Sequence, residues 1–151
     1  MAANTAPIYT VTPVIGRGVW TSSSTANTDS DGSGTIGTDM ILLLTPGSNG
    51  AYVNKVRFTP AATAASVSTT ASIHRLFLST QASGATTSAN TTLIAEAAAA
   101  SQTAASPTAA TQYLEIPCGF YVPSGTQLLW SMHAAAAATT LWHAVCFAGQ
   151  Y

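Results

Sequence analysis

Charge is what this sequence has least of. Four of its 151 residues are Lys or Arg and five are Asp or Glu, so charged side chains make up 6%, against roughly 25% in an ordinary soluble domain. With a net charge of −1 there is little long-range field to draw in a polyanion, and neither nucleic acid nor an anionic membrane is an expected direct partner. Cysteine is nearly as scarce. Cys118 and Cys146 cannot form a disulfide framework; they could pair, but two free thiols packed as small apolar side chains are the expectation. No apolar run approaches the ~20 residues of a membrane span, since "MILLL" is five residues long. The start, "MAANTAPIYT", lacks the basic residues and long apolar stretch of a secretory signal, which predicts synthesis in the cytoplasm without export.

What is present is alanine, serine and threonine, together about 46% of the chain, far from average usage. Such a surface is solvated by hydroxyls rather than by charge. Hydrophobic residues still make up 47%, and they are grouped, so the chain is expected to fold rather than stay disordered. At this length it is most simply one domain with one core.

The apolar residues come in short bursts, among them "PIYTVTPVI", "DMILLLT", "AYVNKVRFT", "SIHRLFLS", "QYLEIPCGFYV", "TQLLWSMH" and "TLWHAVCFA". Between them lie turn signals such as Pro46-Gly47, Asn49-Gly50 and "VPSG". Bursts of strand length divided by frequent turns predict an all-β fold. We expect an antiparallel β-sandwich, jelly-roll-like, of about eight strands over residues 17–151. Pro7 and Pro13 predict an extended arm over residues 1–16. Such an arm reaches on the order of 50 Å. Its apolar residues Ile8, Tyr9, Val11, Val14 and Ile15 need cover from its own sandwich edge or from a neighbouring subunit, and Ile8, Tyr9 and Val11 are the contact candidates.

The alanine runs argue for helix, because alanine is the best helix former. Polyalanine, however, offers no amphipathic face to dock. We expect both "AEAAAASQTAA" and "HAAAAATT" as loops or strand margins. His133 and His143 flank the second run. Treating "TQLLWSMH" and "TLWHAVCF" as a hairpin that pairs Ser131 with His143 sends Leu128, Trp130, Met132, Trp142, Ala144 and Cys146 to a core face. His133, Leu141, His143, Val145 and Phe147 then lie on the opposite face. In that register the two imidazoles are ~7–8 Å apart, too far to share one zinc, so no metal centre is expected. Large apolar side chains where solvent should be instead mark a binding face.

Other candidates carry less. "DSDGSGTIGTDM" places Asp29, Asp31, Ser33 and Gly34 as in a calcium loop, but Met40 stands where the bidentate acid belongs; a flexible loop is expected, with Asp39 as a further oxygen donor should calcium bind. No "GxSxG" occurs, and five scattered acids offer no acid–base pair, so no catalytic residues, cofactor or small-molecule substrate are expected. Trp20, Trp130 and Trp142 could serve as stacking platforms for a sugar, although two of them fall on the predicted core face. Lys55 and Arg57 alternate along one face of "YVNKVRFT", with Tyr52, Val56 and Phe58 expected on the other. Together with Arg75 they are expected to pair with Glu96 or Glu115 across strands, or to meet an acidic neighbour in an assembly.

The segments "GSNGAYVNKVRFTPAAT", "IHRLFLST", "TLIAEA", "GFYVPSGTQLLWSM" and "AVCFAGQY", in this order over residues 47–151, resemble small virion proteins of tailed bacteriophages, the cement or decoration proteins of their capsids. The resemblance implies a jelly-roll sandwich seated on the outside of a shell of major capsid protein. It further implies a homodimer or homotrimer that clamps neighbouring capsomers. A tail or head-fibre component and a carbohydrate-binding module for host recognition are the alternatives.

Overall fold

A computed structural model describes residues 12–64, 67–104 and 111–151. All the regular structure among them is β-strand. Twelve strands are present among the described residues, where about eight were expected. Eight are four residues or longer: β1 (Thr12–Thr21), β3 (Ile41–Leu44), β4 (Ala51–Ala62), β6 (Ser72–Ser79), β8 (Thr91–Ala99), β10 (Leu114–Val122), β11 (Gln127–Met132) and β12 (Thr140–Gln150). The other four, β2 (Gly34–Ile36), β5 (Val67–Ser68), β7 (Gly84–Thr86) and β9 (Thr103–Ala104), form two small ribbons, β2–β7 and β5–β9.

The long strands make two antiparallel four-stranded sheets, ordered β1-β12-β4-β10 and β3-β11-β6-β8. Period-two alternation explains why. In β12, Trp142, Ala144 and Cys146 are buried while Leu141, His143, Val145 and Phe147 stay partly or wholly exposed, and one sheet face is thereby committed to the core. The two inner faces meet in one cluster with an aromatic centre. Trp20 and Trp130 lie 5.6 Å apart, Phe58 and Trp130 5.3 Å, and His74 stacks on Trp130 at 5.8 Å while meeting the Trp142 edge at 4.5 Å. Close packing at the β1 edge depends on Gly16, since a Cβ there would collide with the Leu43 carbonyl oxygen on β3.

The expected hairpin does not form. Strand β11 pairs with β3 and β6 and β12 with β1 and β4, so the segment 133–139 carries the chain from one sheet to the other. The core residues of the hairpin reading are nonetheless buried, Leu128, Trp130 and Met132 from one side and Trp142, Ala144 and Cys146 from the other. Alternation assigns a residue to a face whichever strand it pairs with, and that is why the burial survived an incorrect pairing. The first alanine run continues β8 as strand through Ala99; the second is the crossing segment. Thr12–Gly16, expected within an extended arm, are the first half of β1 and pair with β12. Ile8, Tyr9 and Val11 lie outside the described residues.

Candidate contact face

The two sheets differ on their outer sides. Beyond β3-β11-β6-β8, Phe77 and Leu129 are covered by Met40, with Ile36, Leu42 and Leu93 packed around them. The segment before β3 is held over this sheet by Arg75, whose Nη1 donates to the Asn27 and Thr28 carbonyls at 3.3 Å each while Nε reaches Glu96 Oε2 at 3.3 Å. The calcium-loop residues serve this cover. Asp31 accepts the Ser33 N–H at 2.9 Å and the Ser33 hydroxyl at 3.1 Å, which holds its carboxyl below the usual range. Asp39 accepts the Thr35 N–H.

Outside β1-β12-β4-β10 there is no such cover among the described residues. Register defines the rows of this face. Ile15, Phe147, Lys55 and Pro117 lie side by side across the four strands. The next row is Arg17, Val145, Arg57 and Glu115, followed by Val19, His143 and Thr59 and then Thr21, Leu141 and Ala61. Every well-exposed large apolar or aromatic residue among those described belongs here: Ile15 (54%), Val19 (44%), Tyr52 (38%), Tyr113 (55%) and Tyr121 (47%).

The centre of the face is a charged cluster braced by rings. Glu115 Oε1 receives Lys55 Nζ at 2.9 Å, Arg57 Nη2 at 2.6 Å and Arg57 Nε at 2.8 Å. The Lys55 ammonium, and after it the Arg57 guanidinium, hold the Glu115 carboxyl below its ordinary range. Arg57 also lies 4.2 Å from the centre of the Tyr113 ring and 5.8 Å from that of Phe147, and Lys55 lies 5.4 Å from Phe147. These contacts reduce the freedom of both long side chains.

Tyr52 joins this face against expectation. Between Phe147 and Ala148 the β12–β4 pairing shifts, and between Pro117 and Phe120 the β10–β4 pairing shifts too, both opposite Asn54. The extra residue inverts the alternation, so Val53 turns into the core and Tyr52 out of it. A single sequence carries no mark for such a slip beyond Gly119, which takes φ +68° in the β10 bulge. The paired bulges leave an open groove of about 380 Å³ lined by Pro13, Tyr52, Asn54, Phe147, Ala148 and Gly149.

Of the candidate contact residues, Lys55 and Arg57, read separately from the C-terminal strand, share this outer side with Leu141, His143, Val145 and Phe147. His133 does not. It lies past the end of β11, its N–H donating to the Ile73 carbonyl of the other sheet at 2.9 Å. Sequence reasoning placed Ile15 in the arm and missed Arg17, Val19, Tyr113 and Tyr121, although the alternation of "VIGRGVW" around two small core-facing glycines could have found the first two. Trp20, Trp130 and Trp142 are all fully buried and offer no platform to a ligand. Both thiols are free, and burial pushes Cys118 up to about 11 and Cys146 up to about 12, which keeps them protonated at neutral pH. No three His, Cys, Asp or Glu residues among those described gather as metal ligands would.

Comparison with protein-family models, with curated proteins and with solved structures gives no match.

Proposed function

We propose that the chain is a structural virion protein, a cement or decoration protein that binds the outside of a phage capsid shell and stabilises contacts between capsomers by adhesion, without catalysis. Its partners in this reading are further copies of itself, as a dimer or trimer, and the major capsid protein. The observation that carries it is the open sheet, a four-stranded surface that gathers every well-exposed large apolar or aromatic residue among those described. Scattered surface apolars are ordinary, whereas several gathered on the same side of one sheet favour a contact. Numbering the eight long strands consecutively, the sheets run first-eighth-third-sixth and second-seventh-fourth-fifth, an order we read as a jelly roll, consistent with the sequence resemblance. Many weak copies on one shell gain strength through multivalency.

Co-sedimentation of the purified protein with capsid shells of the phage that encodes it tests the proposal. Saturable binding at a constant number of copies per capsomer is expected. Ile15→Asp combined with Val19→Asp should abolish it while far-ultraviolet dichroism stays unchanged; shells decorated equally well by the double variant would refute the assignment of the face. A carbohydrate-binding module is the second reading, favoured by the groove, where Tyr52 and Phe147 supply rings and Asn54 an amide. Binding of neutral glycans that Tyr52→Ala eliminates would favour it.

A further inference from the structure

We infer that the open sheet fits a protein surface bearing carboxylates, and that Arg17, Lys55 and Arg57 are the groups that meet them. The inference rests on the reading of this sheet as the contact face.

The chain has four cationic side chains, and three lie on the outside of one sheet. The fourth, Arg75, is buried on the other sheet and tied to Glu96. Against the three cations the face holds one acid, Glu115, so it carries a formal +2. The whole chain is −1, which leaves −3 for everything else. An overall charge near zero thus conceals a segregation of sign.

The cations are also arranged asymmetrically. Lys55 and Arg57 converge on a single oxygen of Glu115, so two positive charges share one negative charge and keep donors to spare. Arg17 is exposed and has no ion-pair partner among the described residues. It lies in the same row as Arg57 with Val145 between them, about 10 Å away across two strand spacings. Two guanidinium groups on either side of Val145, that of Arg57 braced by rings, favour carboxylates, which accept their paired N–H donors.

Two other occupants fit less well. A second copy meeting this face with the same face would bring like charges together, which disfavours the pairing. A nucleic acid could use the rings, but with at most three phosphate contacts its electrostatic term would be small.

The experiment is the shell co-sedimentation repeated from about 50 mM to about 500 mM NaCl, a range over which the Debye length falls from roughly 14 Å to roughly 4 Å. We expect affinity to fall about tenfold across it and about as much again in Arg17→Glu at low salt, with Arg17→Lys near the parent. Binding within twofold of constant across the salt range and in Arg17→Glu, yet lost in Ile15→Asp, would overturn the acidic partner and leave the cement reading standing. If the parent does not bind shells at all, the cement reading fails by itself. The face is then judged with an octaglutamate peptide, followed by amide shifts. Changes confined to the rows of Arg17, Lys55 and Arg57 would support the inference, and no changes would refute it. Tighter binding of oligothymidylate than of the peptide at the same salt would assign the face to nucleic acid and also refute it.

Discussion

The two sheets of this sandwich share one core and have opposite outer sides. Behind β3-β11-β6-β8 the chain has spent a long loop, two short strands and a buried arginine on excluding water. Behind β1-β12-β4-β10 it has left Ile15, Val19 and three tyrosines exposed, together with most of its positive charge. Burying apolar area is favourable at about 25 cal/mol per Å², and among the described residues only one of the two sheets gains it on its outer side. Covered and open faces should therefore respond differently to the same kind of change.

The largest expected difference comes from the cover. Met40→Ala removes a fully buried side chain from over Phe77 and Leu129 and should lower unfolding free energy by about 2–5 kcal/mol in a urea titration. A loss below about 1 kcal/mol would mean that the cover is not packed as described.

The shared core has its own sensitivity. His74 is fully buried among Phe58, Trp130 and Trp142 with no hydrogen-bond partner for either nitrogen, and burial lowers its pKa to about 3. Between the ordinary value of 6.5 and about 3 the unfolded chain binds a proton that the folded chain refuses. The stability contributed by this group is thus complete above pH 6.5 and is lost as pH falls, by about 1.4 kcal/mol per unit. Relative to His74→Leu, the parent should lose about 2–3 kcal/mol on going from pH 7 to pH 4.5. Parallel acid-unfolding curves for the two proteins would contradict this.

Arg75 connects the covered sheet to its loop. Arg75→Met keeps the stem but leaves the Asn27 and Thr28 carbonyls without their donor, and should destabilise by about 1–3 kcal/mol. Hydrogen exchange should rise first at residues 27–39. Uniform exchange across both sheets would show that the clamp is not local.

The open face should be nearly silent. Ile15→Ala and Val19→Ala are expected to change stability by no more than about 0.5 kcal/mol, and Glu115→Gln to leave the melting temperature within about 2 °C. The same three substitutions should alter binding. A loss of folding as large as that of Met40→Ala would mean that this sheet too is covered, and the contrast would collapse.

Parts of this were legible beforehand. The grouping of β-branched and aromatic residues between Gly, Pro and Asn turns implied an antiparallel sandwich, and alternation sorted Trp130, Met132, Trp142 and Cys146 inward. Adjacency in sequence misled for β11 and β12, because nothing in "HAAAAATT" states whether a loop turns back or crosses. The bulge opposite Asn54 was equally silent, since it arises from how β4, β10 and β12 fit together rather than from any residue of β4. One strand's alternation sorted Leu141, His143, Val145 and Phe147 to the outer side. Their neighbours Ile15 and Arg17 come from the other end of the chain.

By itself, then, the sequence determined the class of fold, the inward residues of β12 and the shortage of charge, because these follow from local periodicity and composition. Which sheet would be covered, where Tyr52 would point and how three cations would gather on one face were decided only by the tertiary structure. Those outcomes depend on pairings between residues as far apart as Arg17 and Val145, and a long-range register is a property of the assembled sheets, not of any segment within them.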